Sequence, residues 1–446
     1  MSRLCKCRSI LLGAVALAIG CFCWQVHAEG RHLRRQQHTS PVWPSSGSLP
    51  EASAAVTSVA IINPFPWCYE VLFGAVYSLQ LVVQVVDVYV DYFDLFQESG
   101  AAEFLQTLHK RPVRDFSALW DNHPAYELVI WTDHYGWEFE ERRGKGPRDL
   151  LDLGYTGKIW LFNHEPRDVF WPMICECEEG QAWTQNEVYI HKTVQVFGHQ
   201  QVEWFAIAPH VAATLQGLLD QLRFDKKVQW IMPVFPWSNM TQLEAPYQDS
   251  YFSQHKGFAI QGNPDAHRRN YTGLLQDVAV TPGLMDNGRF EIDIFSWGEL
   301  AEGIVPPTVS SKIVYKHLQF PEFYSEIHKT LGVMLLFPGD RYYTSASSSS
   351  IATAISASVP MIVDPKFLEV YNFVLPAAVV VSHASSHAVA MEQVLALTSD
   401  EWTEVSNSMS LTREMAVLRN MQIFSKNFAA MDVAAKSLSK SRYLRV

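Results

Sequence analysis

The chain repeats one rhythm. A short run rich in β-branched and aromatic residues ends in polar residues, and an amphipathic stretch follows. Such β-rich runs occupy 81–90, 126–132, 158–163, 188–196 and 204–209. After the last of them, positions 211–224 bring Leu215, Leu218, Leu219 and Leu222 onto one helical face. Strands this short and this apolar are buried on both faces, as in parallel sheets packed between helices. A second series runs through 228–233, 257–261, 290–295, 313–315, 332–337, 361–363 and 377–381, and helical patterns over 400–438 close the chain. The rhythm predicts an α/β protein with two doubly wound halves of similar size. The turn-rich Phe235-Pro236-Trp237-Ser238 marks the break, giving an N-terminal domain at 59–235 and a C-terminal one at 236–446.

The first residues read as an address. Arg3, Lys6 and Arg8 precede an apolar run over 10–24, and Val26-His27-Ala28 offers small residues at the two positions read by signal peptidase. This fits a cleaved signal peptide or a short signal anchor over 1–28, and both readings stay open. Each sends the rest of the chain into the secretory pathway, to the lumen of the endoplasmic reticulum or Golgi, as a secreted or a single-pass type II membrane protein. Residues 29–58, rich in Ser, Pro, Gln and basic residues, form a flexible stem. The other apolar stretch, 71–90, is interrupted by Gln80, Gln84 and Asp87 and reads as core.

Charge excludes one class of partner. Acids outnumber bases 46 to 35 over 446 residues, and six of the bases sit in the first 35. The remaining surface is acidic enough to repel phosphodiester backbones, so nucleic acid is not a partner. Beyond the leader cysteines Cys5, Cys7, Cys21 and Cys23, only Cys68, Cys175 and Cys177 remain. They allow one bridge, with neither a disulfide framework nor a zinc spacing. Sequons at Asn239 and Asn270 suit a lumenal glycoprotein.

Two motifs in the second half carry chemistry. In the first, a strand runs into Gly262, Asn263 serves as N-cap, Pro264 takes the first helical position, and Arg268 and Arg269 fall in the first two turns. Arginines there reach a phosphate at the carboxyl edge of a parallel sheet. In the second motif, Tyr342-Tyr343-Thr344-Ser345-Ala346 leads to Ser347, Ser348, Ser349 and Ser350, ahead of a helix with Ile351, Ala354 and Ile355 inward and Pro360 after its end. Serine hydroxyls and free backbone N–H groups at a helix entrance seat an anion.

The order of these motifs resembles the donor domain of GT-B glycosyltransferases, in which two facing α/β domains hold a nucleotide sugar between them. The likeness is most specific over 342–364 and extends over 255–375. It implies a glycosyltransferase that takes a nucleotide-diphosphate sugar as substrate, needs no further cofactor, and acts on a glycan, glycoprotein or glycolipid acceptor. It also implies donor contacts at Gly262, Asn263, Arg268, Arg269, Tyr343 and Ser347–Ser350. One departure stands out. Thr353 occupies about the place where many retaining members carry a glutamate, which favours the alternative of a catalytically silent carbohydrate-binding or scaffolding relative.

The acceptor half offers polar residues after its strands: Asp133 after 126–132, His164 and Glu165 after 158–163, and His210 after 204–209. A carboxylate or imidazole there is placed to take a proton from an acceptor hydroxyl, with His164 first among them. Trp131, Trp137, Trp160 and Trp171 are candidates to stack on a sugar ring. Glu291-Ile292-Asp293 comes nearest to a paired-acid metal motif but lies inside a strand pattern, so no metal is expected.

Overall fold

The computed structural model describes residues 56, 58–65, 69–132, 147–166, 175–176, 182–183, 190, 193–195, 202–237, 249–262, 264–265, 268–382 and 386–443. The leader, the stem apart from Val56 and Ser58, Asp133, Trp137, Trp171, Cys68, Cys177, Asn239 and Asn263 lie outside them. Among the described residues no helix is long and apolar enough to cross a membrane.

Two parallel sheets organise the chain. The first contains β1 (Ser58–Asn63), β2 (Val85–Val90), β3 (Val113–Asp115), β4 (Leu128–Trp131), β5 (Lys158–Asn163), β6 (Val202–Ala206) and β7 (Gln229–Trp230). Its order is β3-β2-β1-β4-β5-β6-β7. The second contains β8 (Phe258–Gln261), β9 (Ile292–Phe295), β10 (Ile313–Lys316), β11 (Gly332–Met334), β12 (Met361–Val363) and β13 (Val379–Val381), in the order β10-β9-β8-β11-β12-β13. In both, the order reverses beside the first strand. Ligands of open α/β sheets bind at that switch point.

The helices that shape the site are α1 (Tyr69–Gln80), α2 (Ala101–Leu108), α3 (Pro209–Gln221), α4 (Tyr271–Ala279), α5 (Phe320–His328), α6 (Ser349–Ala357) and α7 (Ser399–Tyr443). The central β1 was not among the strands expected from sequence. Its apolar stretch is brief and adjoins the stem, yet residues 59–62 are fully buried between β2 and β4. The expected strand over 188–196 is corrected: Ile190 and Thr193–Gln195 are helical. β6 takes the place beside β5.

The two sheets belong to one unit, Ser53–Val446. The segment between them is buried, with Ile231, Val234 and Phe235 inaccessible. Helix α7 begins on the second sheet, where Trp402 Nε1 donates to the Leu331 carbonyl at 3.3 Å. It then crosses to the first. Asn420 Nδ2 donates to the Met232 carbonyl at 2.6 Å, and Met232 N donates to Asn420 Oδ1 at 3.1 Å. Phe424 and Phe428 stack on Trp160 of β5, with ring centroids 5.7 and 5.2 Å away. The closing helix therefore packs on both halves.

Candidate functional site

The carboxyl ends of the two sheets face one cavity of about 960 Å³. From the second half it is lined by Gln261, Gly262, Arg268, Arg269 and Ser347–Ser349, and from the first by Glu70, His164 and Glu165. The two sequence motifs thus meet at one place.

The first motif departs from its expected local form. The N-cap is Asn270, whose Oδ1 accepts from Gly273 N at 3.1 Å, and α4 starts at Tyr271. Arg268 and Arg269 precede the helix, in a turn where both their N–H groups donate to the Asp265 carbonyl at 3.0 Å. Asn270 N donates to the Leu336 carbonyl, tying this turn to the chain beyond β11. The tie to the next strand selects the later cap. Gly262 has φ +104°, and a Cβ there would come within 3.1 Å of Arg269 Nη2, so a side chain would be both strained and crowded.

Arg269 is buried. Its Nε and Nη2 donate to the Gln261 carbonyl at 3.1 and 2.6 Å, and Nη2 also donates to Ser350 Oγ at 3.0 Å. Ser348 caps α6, its Oγ accepting from Ser350 N at 3.3 Å. A guanidinium and an open helix entrance thus lie side by side, two sources of positive potential in one wall. Tyr343 is not part of that wall. It is buried and its hydroxyl donates to Asp364, which together with burial holds its pKa far above the usual value. Its neighbour Tyr342 lines the cavity instead.

On the opposite wall, His164 Nε2 lies 2.7 Å from the Thr132 carbonyl. A carbonyl only accepts, so Nε2 carries a proton. Ser347 N donates to the His164 carbonyl at 3.4 Å, joining the two walls directly. The Glu165 carboxylate accepts from Nε and Nη2 of Arg341 in a forked pair between the halves. His210 lies outside the cavity lining. Its Nε2 is 2.7 Å from the Ala346 carbonyl, and burial lowers its pKa.

No family profile and no curated protein matches this chain. Solved structures do. Anabaena HepE in complex with UDP-glucose is 11% identical over 84% of this chain and 99% of its own, with a TM-score of 0.51. The E. coli trehalose-6-phosphate structure bound with UDP-2-fluoro glucose is 9% identical over 83% and 99%, also at 0.51. A trehalose-6-phosphate synthase, OtsA, matches at 9% identity over 84% and 99%, again at 0.51.

The fold is GT-B.

Set on the GT-B frame, Thr353 lies inside α6, fully buried, and does not line the cavity. Trp131 and Trp160 are equally buried and offer no face to a sugar. Among the described residues no group of three His, Cys, Asp or Glu is arranged to hold a metal.

Glu70 and Trp297 are cavity residues that went unread in the sequence. Glu70, in the first turn of α1, accepts from Gln261 Nε2 at 2.9 Å across the halves, and burial raises its pKa. A carboxylate inside the apolar run of α1 carries no motif, and only its place after the unrecognised β1 would have marked it. Trp297, just past β9, is 69% exposed and lines the cavity. Its flanking Ser296 and Gly298 are the turn signal that could have drawn attention to it.

Proposed function

We propose that the chain is a glycosyltransferase that moves a sugar from a nucleotide-diphosphate donor to a carbohydrate acceptor. The observation that carries this reading is that Arg268, Arg269 and Ser347–Ser349 line one cavity between two GT-B halves, with Arg269 bonded to the buried Ser350 behind them. The UDP-glucose and UDP-2-fluoro glucose held by similarly folded proteins support it.

The pyrophosphate sits against Arg268 and the entrance of α6. Departure of the nucleoside diphosphate builds negative charge there, and preorganised donors lower the barrier to it. His164 takes the acceptor proton, its ring held by the Thr132 carbonyl. Glu165 is engaged by Arg341 and holds the halves together. The leader pattern at Arg3, Lys6, Arg8 and 10–24 supports work in the secretory lumen on glycan, glycoprotein or glycolipid acceptors.

A thermal-shift screen with UDP, GDP, ADP and CDP tests the donor site, because a ligand bound only by the folded state raises the melting temperature. The absence of any shift, backed by calorimetry, would sink the reading. The buried Thr353 favours a second one, a silent member of the fold; turnover of any nucleotide sugar excludes it.

A further inference from the structure

The entrance of α6 is not shaped by its own half alone. A short helix, Arg341–Thr344, leads through residues 345–348 into α6, and Tyr342, Ala346, Ser347 and Ser348 line the cavity. Within the second half, Ser345 N and Ala346 N donate to the Arg341 carbonyl at 3.0 and 3.1 Å. Two carbonyls of the segment turn to the first half. Thr214 Oγ1 donates to the Thr344 carbonyl and His210 Nε2 to the Ala346 carbonyl, each at 2.7 Å. His210 and Thr214 stand four residues apart on α3 and so share one face. Val211, Leu215 and Leu219 of the same helix are fully buried, and α3 packs on β6. The first half thus holds out two polar side chains from a fixed helix.

A further bond grips the same peptide unit. Ser347 N, across the amide from the Ala346 carbonyl, donates to the His164 carbonyl at 3.4 Å. The C=O and N–H of one trans amide point opposite ways. The Ala346–Ser347 amide is therefore held from both sides, by residues that follow β5 and β6. Tyr371 steadies the His210 ring edge-on, with centroids 4.8 Å apart, while its hydroxyl donates to the Tyr342 carbonyl at 2.6 Å.

We infer that His210 is a positioning residue for the pyrophosphate seat: it fixes the Ala346–Ser347 amide, and with it the entrance of α6, from the opposite half. This rests on the donor reading. Backbone donors stabilise an anion best when they are aimed before it arrives. A segment free to turn its amides must be ordered on binding, which weakens affinity. The clamp orders it beforehand. Because the same amide is bonded to the His164 backbone, the clamp also keeps leaving group and proton acceptor in register.

The test is calorimetry on the full chain, well below its melting temperature, with UDP and inorganic pyrophosphate as probes. His210→Ala weakens both about three- to tenfold, the worth of one hydrogen bond. His210→Gln, which offers an N–H near the place of the imidazole's, restores most of the loss. Thr214→Val removes only a hydroxyl and weakens both probes in the same direction; it decides the matter should His210→Ala fail to fold. Wild-type affinity for both probes in the folded variants, with only the melting temperature lowered, overturns the proposal and leaves the clamp a purely structural tie. A loss in His210→Ala that His210→Gln does not restore overturns it too. If neither probe binds the wild type, the pyrophosphate seat itself is wrong, and the donor reading and this proposal fall together.

Discussion

Arg269 Nη2 donates to Ser350 Oγ at 3.0 Å across 81 residues of chain. Both side chains are buried, so the contact fixes the wall of the cavity as well as its charge. Ser350→Ala removes an acceptor from a buried guanidinium and is expected to cost about 1–3 kcal/mol in urea unfolding. Arg268→Gln, at an exposed position, keeps stability within about 0.5 kcal/mol of wild type and weakens UDP binding in calorimetry.

His164→Ala is expected to lower kcat by about 10²–10⁴-fold, the usual worth of a positioned proton acceptor, with UDP affinity unchanged. Glu165→Gln keeps turnover within the same order of magnitude, because its carboxylate is engaged by Arg341. Steady-state rates with a donor that wild type turns over decide between the two. The reverse pattern would make Glu165 the proton acceptor.

The forked pair Glu165–Arg341 is largely screened from solvent, at 12% and 13% side-chain exposure. Arg341→Met strands the carboxylate and is expected to lower stability by about 1–3 kcal/mol, less than for a fully buried pair. Guanidinium unfolding measures it, and Glu165→Gln combined with Arg341→Met should recover part of the loss.

Glu70 gives stability a pH dependence of known sign. Burial raises its folded pKa above the unfolded value, so the native state holds the extra proton. Its stabilising share is complete below the unfolded pKa of about 4.3 and declines as pH rises toward the folded value. Glu70→Gln keeps an acceptor for Gln261 Nε2 and removes the buried acid. Its melting temperature should exceed that of wild type at pH 8 and match it near pH 4.

Asn270 is both sequon and cap. Asn270→Ala is expected to cost about 1 kcal/mol by loss of the bond to Gly273 N. Asn270→Asp abolishes the sequon and keeps the cap, so chemical unfolding separates the two roles.

Much of the fold was legible because local pattern and global layer agree. Buried parallel strands must be short and apolar, and β4, β5, β8, β9 and β12 announce themselves that way. The serine run before α6 was legible for a similar reason, since capping needs a hydroxyl beside a free N–H. Where a segment's fate depended on its neighbours, the local pattern misled. Residues 188–196 look like a strand, yet Ile190 and Thr193–Gln195 are helical and β6 is the strand beside β5. The helix after Arg269 is capped at Asn270 because the Leu336 carbonyl holds that residue's N–H.

Taken alone, the amino-acid order determined the α/β class and the pair of parallel-sheet halves, which follow from periodicity, and it singled out the two segments around 262–270 and 347–350 that meet at the cavity. Only the tertiary structure decided which side chains share a cavity. It chose Tyr342 over Tyr343, brought in Glu70 and Trp297, and tied Glu165 to Arg341. Those outcomes depend on which strand lies beside which and on how α7 holds the halves together. Such contacts join residues too far apart in the chain for any local pattern to encode.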